Sequence, residues 1–215
     1  MSGNGRSPVQ GFIVLEGIDG SGTTTQLERI GRVAAARGIG TWTSFEPTNL
    51  PTGQFLRRLL SGEVSALPAT IARLFAADRH EHIFGASGAL EHLGRGELVV
   101  FDRYFFSSLA YQGMDCGMEL PFELNAAFPL PELLLYFDLD EDTALARVAH
   151  RPGRDIYETK ESLRRVRAAY EEAFSPFASS GMRLARIDAS LPLEVVSSRV
   201  DAELEPIFAR KEAHN

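Results

Sequence analysis

Phe12–Ile30 reads FIVLEGIDGSGTTTQLERI, and the reading of this stretch decides the fold. A short apolar run, Phe12 to Leu15, is the pattern of a buried strand. Three glycines follow, Gly17, Gly20 and Gly22, then a threonine triplet and a helical pattern. This is the form of a phosphate-binding loop, G-x-x-x-x-G-K-[ST], with Thr23 at the lysine position. In such a loop, Gly17 to Thr25 (Gly17, Ile18, Asp19, Gly20, Ser21, Gly22, Thr23, Thr24, Thr25) wraps backbone N–H groups around phosphate oxygens, and the helix adds its positive end. Thr24 holds the position whose hydroxyl ligates Mg²⁺. A bare glycine pattern would suit any strand-to-helix turn; strand, spacing, Thr24 and helix together favour phosphate binding.

Outward from the loop, strand-like runs alternate with helical ones. FIVLE (12–16), TWTSFE (41–46), ELVVFD (97–102), LLLYFDL (133–139) and RLARID (183–188) are short, apolar or β-rich, and bounded by turn residues or charge. TTQLERIGRVAAARG fits an amphipathic helix closed by Gly38. Residues 67–96 form one long helical stretch weakened at Gly85 and Gly88, and two more helices fall near 160–178 and 191–210. The alternation predicts βαβ units and a mainly parallel sheet covered on both faces.

The 215 residues suit a single domain, 11–210, behind a flexible tail at 1–10. A formal charge of −7 argues against a nucleic-acid binder held by phosphate contacts. One cysteine, Cys116, excludes an internal disulfide and a cysteine-rich zinc site. The histidines show no metal-ligand spacing, and His80 and His82 read as surface positions on a helix. No apolar run reaches the length of a membrane span, and a cytoplasmic location is the expectation. The polar, arginine-rich HRPGRD (150–155) reads as an exposed mobile loop, and a lid is expected around 147–158.

FIVLEGIDGSGTTTQ resembles the opening of thymidylate kinases, and the likeness continues in order to about Phe208. EPT (46–48) with Gly53 and LRRLL, LFAADR (74–79), FDRYFFSSLAYQG (101–113), RPGRDIYE (151–158) and RIDAS (186–190) each resemble a family motif at the matching place. Apart from the loop and the Asp-Arg-Tyr block each is weak; in sequence they are specific. The resemblance implies a P-loop NTPase fold, three layers α/β/α around a five-stranded parallel sheet. It further implies transfer of a phosphoryl group from ATP to dTMP with Mg²⁺, and a homodimer.

The implied substrate-binding residues are Glu46, Phe75, Arg79, Arg103, Ser107, Ser108 and Tyr111. Phe75 would stack on the thymine and Arg79, four residues on, would reach a base oxygen. In isolation, Phe75 reads as core and Arg79 as a surface partner of Asp78 or Glu81. Tyr111 would pack on the deoxyribose. Arg103 would grip the acceptor phosphate through its fork. Asp102 would reach Mg²⁺ or its water shell beside Thr24, and Asp19 would act at the metal or the sugar. The catalytic set is therefore Asp19, Arg103, Arg151 and Arg154. One family branch carries an arginine in the phosphate loop, the other in the lid; Gly20 places this chain with the second.

Thr23 departs from the family. The chain has 22 basic residues, only two of them lysines (Lys160 and Lys211), and neither is near the loop. Three readings stand. A lid arginine supplies the charge, the site binds nucleotide but turns over poorly, or an altered chain, natural or engineered, has lost catalysis; the alternative of a different class is a non-catalytic nucleotide-binding protein. Another nucleoside monophosphate as acceptor is the nearer rival.

Overall fold

The computed structural model describes residues 6–149 and 159–213. Five strands, β1 (Pro8–Gly17), β2 (Thr41–Phe45), β3 (Leu98–Asp102), β4 (Leu130–Asp138) and β5 (Arg183–Asp188), form one sheet. The order is β2-β3-β1-β4-β5 and every pairing is parallel. Phe12, Ile13, Val14 and Leu15 are all fully buried. Successive strand residues face opposite sides, so both faces of the sheet are covered. The expected α/β/α layering with a five-stranded parallel sheet is what the chain adopts.

The covering helices are α1 (Thr23–Ala36), α2 (Pro51–Leu60), α3 (Pro68–Phe84), α4 (Ala89–Gly94), α5 (Phe105–Cys116), α6 (Glu119–Leu124), α7 (Glu141–Val148), α8 (Lys160–Phe174) and α9 (Leu193–Glu212). Leu27 and Ile30 of α1, Phe105 and Leu109 of α5, Val166 and Tyr170 of α8, and Val200 and Leu204 of α9 share one core cluster with the strands. A second, smaller cluster joins Leu56 and Leu59 of α2 to Ile71 of α3, with Leu74 and Phe75 packed against it. Among the described residues no helix is long and apolar enough to cross a membrane.

Three local expectations change. Strand β1 starts at Pro8, inside the segment read as a tail: Pro8 pairs with Leu130 and Val9 with Pro131 before the register shifts. The polar Gln10 and Gly11 at that irregularity hide the strand in the sequence. Arg6 is anchored too, donating from Nη1 to the carbonyls of Asn125 and Phe128 at 2.9 and 2.8 Å. The 67–96 stretch divides into α3 and α4 across Gly85–Gly88. His82, read as a surface residue, is buried: its ring stacks on Phe101 at 4.1 Å and its nitrogens meet Glu46 and Ser44. That face of α3 packs toward β2 and β3, whereas His80 remains exposed.

One register relation positions everything that follows. Leu15 on β1 pairs with Asp102 on β3. The phosphate-loop turn after β1 and the Asp-Arg-Tyr turn after β3 therefore emerge side by side at the carboxyl edge of the sheet, where α/β sheets bind ligands.

Candidate active site

The loop from Gly17 to Gly22 is built for close backbone approach. A Cβ on Gly17 would sit 2.5 Å from Ser21 Oγ and 2.8 Å from the Phe137 carbonyl. Gly20 has φ +85° and its Cβ would lie 2.8 Å from the Ala144 carbonyl on α7. A side chain there would be both strained and crowded. An arginine at 20 is therefore disfavoured by this chain's own packing. Ser21 Oγ is buried without a protein partner, and Ile18 belongs to the core. Thr23, the first residue of α1, is buried, while Thr24 and Thr25 are exposed at the helix start. The first turn of α1 carries no acidic residue to compete for an anion.

Thr24 and Asp102 do meet. Thr24 Oγ1 donates to Asp102 Oδ2 at 2.6 Å, and Asp102 Oδ1 is buried with no protein partner. An orphaned carboxylate oxygen beside a hydroxyl is a hard-oxygen donor set that suits Mg²⁺. Among the described residues no group of three or more His, Cys, Asp or Glu side chains is placed to hold a metal. Mg²⁺ does not require one, since it commonly takes one or two carboxylates and completes its shell with water and phosphate.

Arg103 follows β3 with φ +72°, a left-handed conformation that typically costs a non-glycine residue about 1–3 kcal/mol. Its guanidinium donates to Asp19 Oδ1 at 2.6 Å and to the Gly17 carbonyl at 2.8 Å. It also lies 5.5 Å from the ring centre of Tyr111. Burial alone would lower its pKa, but the facing groups, Tyr111 and Asp19 foremost, hold it well above the usual arginine value. The expected pair Asp19 and Arg103 is thus in direct contact at the loop.

Beside them opens a cavity of roughly 260 Å³ lined by Asp19, Glu46, Phe75, Arg79, Arg103, Ser107 and Tyr111. Arg57, Leu60 and Gln112 also line it, as do Pro47 and Tyr104. It brings together six of the seven expected substrate residues, from the turns after β2 and β3 and from α3 and α5. The seventh, Ser108, is not among the lining residues; its Oγ accepts from Arg79 Nη2 at 3.2 Å. Arg79 lines the cavity, as the substrate-binding reading requires, but departs from the reading as a surface residue. It forms no surface pair with Asp78 or Glu81 but a buried ion pair with Glu46, backed by Asn125 Oδ1 at 2.5 Å. Glu46 is accordingly occupied, with one oxygen on Arg79 and the other on His82. Asp78 instead accepts from the Thr48 amide, Thr48 Oγ1 and Thr52 Oγ1, fixing the turn after β2.

Three groups at this site carry no sequence expectation. Arg57 on α2 is tied to the Pro47 and Thr48 carbonyls at 2.6 and 2.7 Å and presents charge to the cavity. The LRRLL run held it, but one arginine among several carries no local mark. Glu16, the last side chain of β1, is fully buried, and burial pushes its carboxyl up to about 7 against the opposing pull of Arg103 and four hydrogen-bond donors. Tyr170 on α8 is likewise buried and donates to Glu16 Oε2 at 2.9 Å; burial and then the Glu16 charge raise its phenol well above the usual value.

On the other side of the loop a second cavity of roughly 340 Å³ is lined by Gly20, Ser21, Gly22, Thr25, Arg147 and Ala189, with Gln26, Leu191, Leu193 and Val196. Arg147 spans it, donating to the Gly20 and Ala189 carbonyls. Arg151 and Arg154, the expected lid arginines, lie outside the described residues.

Comparison with known proteins identifies a family. The family model described as thymidylate kinase matches residues 15–200. A relative from Treponema pallidum (strain Nichols) is 40% identical over 192 residues, 88% of this chain and 92% of its own length. The thymidylate kinase of Leptospira interrogans (serovar copenhageni) is 38% identical over 165 residues, 75% of this chain and 80% of its own. That of Xanthomonas oryzae pv. oryzae (strain PXO99A) is 41% identical over 163 residues, 74% of this chain and 70% of its own.

Proposed function

The chain belongs to the thymidylate kinase family, and from that membership we propose that it transfers the γ-phosphoryl group of ATP to the phosphate of dTMP. An acceptor phosphate oxygen forms the new bond to the γ-phosphorus as the bond to the departing ADP oxygen breaks. No covalent enzyme intermediate is needed; the protein positions the reactants and neutralises charge. The observation that carries this reading is the adjacency of the loop to the arginine-lined cavity, with Arg103 touching both through Gly17 and Asp19.

Within this reading Phe75 and Tyr111 supply apolar walls for base and sugar, and Arg79 presents an edge held rigid by Glu46. Arg103 and Arg57 supply positive charge for the acceptor phosphate. Thr24 and Asp102 would hold Mg²⁺, which would neutralise charge on the donor phosphates. The second cavity receives the donor nucleotide, and Arg151 and Arg154 supply the cation missing at Thr23. A cytoplasmic homodimer is part of the same proposal; exposed apolar side chains such as Phe55 on α2 and Phe84 on α3 support the dimer.

An ADP-release assay with ATP and Mg²⁺ across dTMP, dUMP, UMP, CMP and AMP tests the assignment. A higher kcat/KM for UMP or AMP than for dTMP would reject it. One observation favours a second reading, nucleotide binding without turnover: the lysine position holds a buried, uncharged Thr23. Losing one preorganised charge at the transition state costs about 3–4 kcal/mol, a hundredfold or more in rate. ATP binding with no turnover on any monophosphate, restored by Thr23→Lys, would establish that second reading.

A further inference from the structure

Glu16 is used by none of the steps above, yet it sits where the loop strand, the Asp-Arg-Tyr turn and α8 converge. Its side chain is 0% exposed. Oε1 accepts the backbone N–H groups of Tyr104 and Ser107 at 2.9 and 3.1 Å. These are the residues at the start of α5, a helix whose own N-cap side chain makes no capping bond. A carboxylate borrowed from β1 therefore caps α5 from outside, where a negative charge also suits the helix dipole. The capped amide of Tyr104 follows directly on Arg103 and its left-handed φ of +72°.

Oε2 has a different task. It accepts from Ser107 Oγ at 2.6 Å and from Tyr170 Oη at 2.9 Å. Each hydroxyl has a single proton. Tyr170 Oη also lies 3.2 Å from the Gly17 carbonyl and 2.9 Å from Ser107 Oγ; an ionised Oε2 is the strongest acceptor of the three, and with both protons drawn to it both oxygens turn lone pairs outward. Arg103 Nη1 lies 3.3 Å from each of those oxygens. The carboxylate thus makes two neutral hydroxyls into acceptors for the arginine without touching it.

We infer that Glu16 is a positioning residue for the acceptor-phosphate clamp, holding the Arg103 turn through backbone amides and its guanidinium through Ser107 and Tyr170. The inference rests on the reading above that Arg103 grips the acceptor phosphate. Glu16→Gln removes the charge at nearly constant shape. An amide nitrogen at the Oε2 position must donate, so Ser107 or Tyr170 would turn its proton toward Arg103.

Calorimetry at pH 8, where Glu16 is ionised, of dTMP and of thymidine, which lacks the phosphate, against the full-length protein separates positioning from general damage. Glu16→Gln is expected to weaken dTMP about tenfold, the scale of one lost charge-assisted hydrogen bond, with thymidine changed less than about twofold. In an Arg103→Ala background the same substitution is expected to cost dTMP nothing further, because the group it acts through is gone. Equal losses for dTMP and thymidine, retained dTMP affinity in the folded variant, or an undiminished loss on top of Arg103→Ala would each overturn the inference. Tyr170→Phe keeps the ring and deletes one relay, and should show the same split. If Glu16→Gln does not fold, an unchanged dTMP affinity in Tyr170→Phe overturns the inference by itself. Should Arg103→Ala alone leave dTMP binding intact, it is the assignment of Arg103 that fails.

Discussion

Arg79 and Glu46 form an ion pair at 2.6 Å with side chains only 1% and 2% exposed, on α3 and just past β2. Two charges withdrawn from water are tolerated because each is also hydrogen-bonded, Arg79 to Asn125 and Ser108, Glu46 to His82. Glu46→Ala should therefore destabilise the protein by about 3–5 kcal/mol, since it leaves a buried guanidinium uncompensated. Denaturant unfolding measures this. A midpoint within error of the native chain would show that the pair is not a buried unit.

Arg103→Ala should weaken dTMP far more than ATP. Loss of a charged hydrogen-bond partner is worth about 1.5–3 kcal/mol. Removing Arg103 also frees Asp19, its 2.6 Å partner, to repel the incoming phosphate. Calorimetry with each nucleotide separately gives the comparison, and equal losses would place Arg103 outside the acceptor site.

Thr23→Lys should bind ATP at least as well as the native chain, because the loop geometry already suits lysine. Arg151→Ala and Arg154→Ala, each made with Thr23 and with Lys at 23, complete double-mutant cycles in activity. At least one coupling of about 0.5–3 kcal/mol is expected if cations share one phosphate group. Strict additivity for both arginines would remove them as the source of the missing charge.

Stability should respond to pH through Glu16. Burial raises its carboxyl from 4.5 to about 7 in the folded chain, while Arg103, Ser107, Tyr170 and the Tyr104 amide, which face it from the β3–α5 turn, α5 and α8, pull the other way. The folded state then holds a proton that the unfolded state releases above about 4.5. This contribution is fully present below pH 4.5 and is lost as pH rises through about 7. Relative to Glu16→Gln, which does not titrate, the native chain should lose a few kcal/mol across that window. Melting curves of both proteins from pH 4.5 to 8 check it; parallel profiles would place the Glu16 pKa near its unfolded value.

What was legible in the sequence was local or patterned. The glycine spacing, the apolar strand runs and the Asp-Arg-Tyr block each mark themselves within a dozen residues, and they fixed the parallel sheet and most of the cavity wall. What was not legible depends on contacts far apart in the chain. Glu16 looks like the polar end of a strand until Tyr170, 154 positions later, is placed against it. His82 carries the helical spacing of a surface residue, and only the packing of α3 toward Phe101 buries it. The buried tie of Arg79 to Glu46 follows from the turn after β2, which no periodicity announces. The first residues of β1 were hidden by Gln10 and Gly11 at the shifted register.

The crowding at Gly20 bears on which sequences are reachable from this one. Any larger residue there must adopt φ +85° and displace the Ala144 carbonyl, so an arginine at 20 calls for concerted change in the loop and in α7. Thr23 has no left-handed φ to impose that backbone restriction, and threonine and lysine codons can differ by a single base. Gaining a lysine at 23 is thus a short genetic step, while gaining an arginine at 20 is a long one. Under selection for faster turnover, the first variants to arise should change Thr23 and leave Gly20 untouched.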